Sequence, residues 1–161
     1  MANVLHQSPL TPAEMPHSVL FMCNFNAVRS PMAEALTKFY CGKHIYVQSI
    51  GIRAEGDQAN PFAVAVMDEI GLDISRHGPK KFADLMDASF DLVVTLSPEA
   101  QHKAIDLTRT LDCQVEYWPT LDPTAVTGNR DNIIAAFRQT RDMLAEKIKK
   151  RFDVAYFPVV S

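Results

Sequence analysis

Four short apolar runs, with a helical pattern able to fit between each pair, constrain this chain more than any other feature. Val19 to Met22, Ile45 to Val47, Leu92 to Leu96 and Val115 to Trp118 are rich in β-branched and aromatic residues. At this length they read as buried strands. Three proline-bearing openings announce the helices between them. Ser30-Pro31, Asn60-Pro61 and Ser97-Pro98 each place a capping side chain before a proline suited to the first helical position. Gly71 is the expected stop of the second of these helices. A shorter helix is expected from Lys81 to Ala88, with Phe82, Leu85 and Met86 turned inward. In the last helix Ile133, Phe137, Leu144 and Ile148 recur at helical spacing. Lys147, Lys149, Lys150 and Arg151 gather at its end, where the helix dipole favours cations. Alternation of this kind implies an α/β fold of three layers, a parallel sheet with helices on both faces.

At 161 residues the chain fits one domain. Residues 1–17 carry Pro9, Pro12 and Pro16 but no Lys or Arg, and read as a flexible leader unlike a secretory signal. Residues 18–151 read as the folded domain and 152–161 as an apolar tail, Val154 to Val160 broken by Pro158. No apolar run approaches the ~20 residues that cross a bilayer. A composition of 47% hydrophobic and 22% charged residues excludes a largely disordered chain. With 16 basic against 19 acidic residues the net charge is −3, and there is no basic run. Nucleic acid and anionic membrane are therefore not expected partners. Cys23, Cys41 and Cys113 form neither a disulfide framework nor a paired-cysteine zinc motif. A thiol left unpaired suits a reducing compartment, so a cytoplasmic location is expected. The five histidines show no metal-ligand spacing, and neither a metal nor another cofactor is expected.

In covered parallel sheets ligands bind where a strand's carboxyl end feeds a helix N-terminus. The first such turn reads Cys23-Asn24-Phe25-Asn26-Ala27-Val28-Arg29-Ser30-Pro31. Backbone N–H groups of a tight loop, joined by a helix N-terminus, make an anion cradle from residues 24 to 30. Arg29 can grip two oxygens of a phosphate-like group, which a lysine cannot. The same positive surroundings favour a thiolate at Cys23. A free thiol of pKa ≈ 8.5 is only ~3% ionised at neutral pH, and sites of this type lower it to ≈ 3.5–7.5. A drop of ~3 units needs ~4 kcal/mol, whereas one helix terminus supplies ~0.3–2 kcal/mol. Arginine and hydroxyl or amide hydrogen bonds must supply the rest, and Ser30 is the nearest candidate. Cys41 and Cys113 have no such surroundings and read as ordinary packed thiols.

With these residues in place, the chain resembles the low-molecular-weight protein tyrosine phosphatases and the related thioredoxin-coupled arsenate reductases, from about His17 to Arg151. The signature of a cysteine, five residues and Arg-Ser-Pro is met by Cys23 and Arg29-Ser30-Pro31. The resemblance implies a four-stranded parallel sheet in the order 2-1-3-4. It implies supporting hydrogen bonds from Asn26, Ser30, Ser49 (in Ser49-Ile50-Gly51) and His77, and a general acid at Asp122 of Asp122-Pro123. It implies a metal-free phosphomonoesterase acting through a phosphocysteine, with Cys23, Arg29 and Asp122 as its catalytic set. The substrate would be a phosphorylated small molecule or phosphoprotein, with inorganic phosphate or another oxyanion as ligand; a homodimer is compatible with it. The rivals are an arsenate reductase using the same cysteine and a phosphate- or phosphopeptide-binding domain without turnover.

Several positions depart from the family pattern. Phe25 replaces a glycine, Val28 a second cysteine and Thr124-Ala125 an aromatic pair. Ser97 stands where arsenate reductases carry a resolving cysteine.

Overall fold

The four expected strands pair into one parallel sheet: β1 (Ser18–Cys23), β2 (Tyr46–Gly51), β3 (Leu92–Thr95) and β4 (Gln114–Tyr117), in the order β2-β1-β3-β4. This computed structural model describes residues 15–152. The central strand shows why the sheet must be covered twice. Val19, Phe21 and Cys23 enter one core, and Leu20 and Met22 enter the other. Alternate side chains of one strand point to opposite faces.

Four α-helices among the described residues supply the cover: α1 (Arg29–Cys41), α2 (Pro61–Asp68), α3 (Pro98–Leu107) and α4 (Arg130–Arg151). Met32 and Leu36 of α1, Val66 and Met67 of α2, and Phe137, Leu144 and Ile148 of α4 build the larger core. Ala100 and Ala104 of α3 pack with Phe90, Leu20 and Met22 in the smaller one. Small residues on α3 let its backbone lie close to the sheet.

The caps divide. Asn60 accepts the Phe62 N–H at 2.8 Å and Ser97 the Ala100 N–H at 3.1 Å, as the proline openings predict. Ser30 is a correction: α1 begins two residues earlier than expected, at Arg29, with Val28 in the capping position and no side-chain cap. Gly71 adopts φ +81°, and the bonds Gly71 N–H to Asp68 O and Leu72 N–H to Met67 O close α2 as a Schellman motif.

The helix expected over Lys81 to Ala88 is also corrected. Only a 3-10 turn, Phe82–Asp84, forms there. Asp84 accepts the Lys81 N–H at 2.9 Å, and Asp87 accepts the Ser89 N–H at 2.9 Å. The second of these is an Asx turn, which competes with helix continuation. Phe82 and Leu85 lie against the smaller core, but Met86 is fully exposed.

Residues just outside the expected 18–151 domain pack against it. Met15 is buried in the larger core, and His17 N–H donates to Asp91 Oδ2 at 2.6 Å, so the folded body begins before residue 18. Phe152 is fully buried against Trp118, so it belongs to the body. The rest of the expected leader and tail lies outside the described residues.

Candidate active site

The strand order reverses at β1, whose neighbours are β2 on one side and β3 on the other. Residues 24–28 leave β1 at that point and enter α1. The loop is therefore at the switch point where open α/β sheets bind ligands. Its backbone is held from outside by Ile52 N–H to Cys23 O at 3.0 Å, Arg53 N–H to Asn24 O at 2.7 Å and Asn60 N–H to Ala27 O at 2.9 Å. Among the described residues, no protein acceptor takes the N–H groups of Phe25, Ala27, Val28, Arg29 or Ser30. Successive unclaimed donors beside a helix N-terminus suit an oxyanion.

Asn26 organises the loop's middle. It adopts φ +56°, a left-handed conformation that asparagine tolerates better than most residues. The Lys80 backbone N–H, which can only donate, reaches Asn26 Oδ1 at 3.0 Å. That fixes the amide's orientation and turns Nδ2 toward Ser30 Oγ at 2.8 Å and Ser49 Oγ at 2.9 Å. Both hydroxyls thus accept from Asn26, and each directs its own hydrogen elsewhere. Ser49 donates to Glu34 Oε1 at 2.5 Å. Ser30 Oγ lies 2.8 Å from Cys23 Sγ, a contact in which either group can donate, and 3.4 Å from the Ile50 carbonyl, to which it can donate. The sulfur also accepts the Asn26 N–H at 3.3 Å.

His77 Nε2 lies 2.9 Å from Asn26 Oδ1 and 3.1 Å from Asn26 O, so its proton resides on Nε2. Burial pushes its pKa below the usual histidine range, against the opposing pull of the Glu34 carboxylate. A neutral imidazole here serves as a fixed donor.

Arg29 is 6% exposed, with Nη1 donating to Thr120 O at 2.8 Å and Nη2 lying 3.9 Å from Asp122 Oδ2. Asp122 Oδ1 accepts from Thr124 N at 2.9 Å and Thr124 Oγ1 at 2.7 Å. One carboxylate oxygen is thereby anchored, and the other faces the guanidinium. Cys23, Phe25, Ala27, Val28, Arg29, Asp122 and Thr124 line a cavity of about 240 Å³ whose wall Glu55 and Asn60 complete. Phe25 is half-exposed and carries the Arg53 guanidinium 5.6 Å from its ring centre.

The structure thus brings together every site residue expected from the sequence. The sequence reading missed Glu34, Thr120 and the partners of Asn24. Those partners are Ser97, which donates to Asn24 Oδ1 at 2.6 Å, and Glu99, which accepts from Asn24 Nδ2 at 2.7 Å. Only Ser97 carried a signal, as a helix cap.

The remaining thiols lie at the opposite end of the sheet. Tyr117 aligns through Thr95 with Met22, and Cys113 precedes β4. Five residues of rise and two strand spacings put the Cα atoms of Cys23 and Cys113 roughly 19 Å apart. Cys41 closes α1, roughly 18 Å of helix from Arg29. Burial pushes the Cys41 thiol up to about 11, and burial with nearby Asp112 raises that of Cys113.

Residues 18–154 match the family described as low molecular weight phosphotyrosine protein phosphatase. The arsenate reductase of Bacillus subtilis (strain 168) is 35% identical over 136 residues, covering 82% of this chain and 92% of its own. Among solved structures, the YwlE arginine phosphatase with a phosphorylated active-site serine has a TM-score of 0.70 at 27% identity, covering 84% of this chain and 93% of its own. YwlE is from Bacillus subtilis. The low molecular weight protein tyrosine phosphatase of T. tengcongensis has a TM-score of 0.69 at 28% identity, covering 84% and 97%.

Proposed function

This chain belongs to the low molecular weight phosphotyrosine protein phosphatase family, and from that premise we propose that it is a cysteine-dependent phosphomonoesterase. The observation that carries this reading is the convergence of Cys23, Arg29 and Asp122 on a single cavity. Cys23 thiolate attacks phosphorus, the bond to the leaving oxygen breaks, and a phosphocysteine forms. Arg29 and the loop N–H groups hold the equatorial oxygens as charge moves across them. Asp122 gives its proton to the leaving oxygen, then accepts one from the water that attacks phosphocysteine, releasing phosphate and restoring the thiolate. The oxygen facing Arg29 is the one that carries this proton, because its twin is held by Thr124. Asn26, Ser30, Ser49 and His77 hold the loop. No step requires a metal.

Arsenate reduction is the second reading, and the name of the Bacillus subtilis relative favours it. Taking arsenate to arsenite requires two electrons, supplied as Cys23 and a second thiol become a disulfide. A disulfide needs Cα atoms within about 7 Å, and neither Cys41 nor Cys113 comes near that distance. In this chain the second thiol must come from outside.

The test is hydrolysis of p-nitrophenyl phosphate by the wild type, Cys23→Ser and Asp122→Asn. Loss of about 10³-fold or more is expected for Cys23→Ser and roughly 10²-fold for Asp122→Asn. Equal rates in all three overturn the phosphatase reading. Phosphate binding without turnover identifies a binding module instead. A parallel arsenate assay with and without glutathione or a thioredoxin system decides the reductase reading.

A further inference from the structure

The first residue of the anion loop is gripped by groups that the proposed chemistry does not use. Asn24 Nδ2 donates to Glu99 Oε2 at 2.7 Å, and Asn24 Oδ1 accepts from Ser97 Oγ at 2.6 Å. The assignments are unambiguous. Ser97 Oγ already accepts the Ala100 N–H as the cap of α3, so its single hydrogen is free only for Asn24. A glutamate carboxyl is ionised at neutral pH, and the hydrogen bond from Asn24 is the largest influence holding that of Glu99 below the usual range. It therefore accepts only. One amide thus meets one donor and one acceptor, both presented by the opening of α3.

We infer that Asn24, Ser97 and Glu99 form a positioning bridge that holds the loop's first peptide where its N–H groups bind phosphoryl oxygens. The kinetic part of this inference rests on the phosphatase reading. The loop's middle is fixed through Asn26 and its end by α1. On the β2 side its beginning is held by the backbone bonds Ile52 N–H to Cys23 O and Arg53 N–H to Asn24 O and by the Arg53 guanidinium against the Phe25 ring. Among the described residues, Asn24 makes the only side-chain hydrogen bonds between the loop and α3. With Asn24 in place, Ser97 is almost fully buried. A misplacement near 1 Å in a positioned group can cost about 10²-fold in rate. A bridge that limits drift at one end of the loop should account for part of that.

The test measures kcat, KM and inhibition by inorganic phosphate for Asn24→Ala, Ser97→Ala and their double variant, with Ser97→Thr and Glu99→Gln as conservative controls. Asn24→Ala should lower kcat and phosphate affinity each about tenfold. Ser97→Ala should do the same, and the double variant should be no worse than Asn24→Ala, since both cut one link. Ser97→Thr keeps the hydroxyl and Glu99→Gln keeps an acceptor, so both should stay within about twofold of wild type. Additive losses, or a lowered melting temperature with kcat and phosphate affinity unchanged, overturn the bridge. If the wild type hydrolyses nothing, the phosphatase reading fails while phosphate affinity in the same variants still decides the bridge. A wild type that binds no phosphate overturns both.

Discussion

Gly51 is tied to the loop by space and not by torsion. A Cβ placed on it lies 2.6 Å from Asn26 N, 2.7 Å from Phe25 C and 2.8 Å from Asn24 O. All three are backbone atoms of the anion loop, which cannot swing aside as a flexible side chain could. Gly51→Ala must therefore displace the loop. The expected outcome is a fall of about 10²-fold in kcat/KM for p-nitrophenyl phosphate, with destabilisation of about 1–3 kcal/mol from overpacking. Steady-state kinetics and urea unfolding check the two parts separately. Cys23 and Arg29 could be picked out from the sequence because both flank one strand-to-helix turn. Asn26, Ser49, His77 and Asp122 were reached only through the family resemblance. Glu34 was not legible, because a glutamate inside a helix resembles any solvated one until Ser49 is found 2.5 Å away. The Asn24 bridge spans more than seventy residues of chain, and no local pattern announces it.

Among the elements, strands and long helices were legible because burial on one or both faces dictates their periodicity. Phe137 sits on the buried stripe of α4 and packs against Phe62 with ring centres 5.5 Å apart. Phe137→Ala should destabilise the fold by about 3–5 kcal/mol in urea unfolding. The short helix expected near Lys81 stops after one turn: Asp84 caps that turn by accepting the Lys81 N–H, and farther on Asp87 draws the Ser89 N–H into an Asx turn. The segment between α2 and that turn carries His77, whose lowered pKa makes stability depend on pH. The unfolded chain binds this proton more readily than the folded one, so stability rises with pH through that range. The contribution is complete above the ordinary value of 6.5 and is lost as pH falls through the lower folded value. The urea midpoint should drop between pH 7 and pH 5 more steeply in wild type than in His77→Gln. The Glu69 pair with Arg138 and Arg141 acts in another window. Its carboxyl is lowered from the ordinary 4.5 to about 2, so that pair persists until far stronger acid.

Seen as a whole molecule, the sheet separates two chemical ends. At the carboxyl ends of the strands lie the anion loop, Arg29 and Asp122; at the other end lie Cys41 and Cys113, both held protonated. The order 2-1-3-4 creates this polarity by placing β1, with Cys23 at its tip, at the centre of the sheet. Brief iodoacetamide treatment of the native protein should modify Cys23 first, and unfolding should release the other two thiols to react. Labelling of Cys41 before Cys23 in mass spectrometry would contradict this assignment.

That separation also governs what peroxide does to the protein. A sulfenic acid formed on Cys23 would ordinarily be captured by a neighbouring sulfur and so saved from further damage. Val28 stands within the loop where such a neighbour could have been, and the other two sulfurs lie beyond reach. Oxidation should therefore run on to the sulfinic state, and a later reductant should restore little activity. Adding glutathione together with the peroxide, and not after it, should preserve the enzyme by supplying from solution the partner that the fold omits.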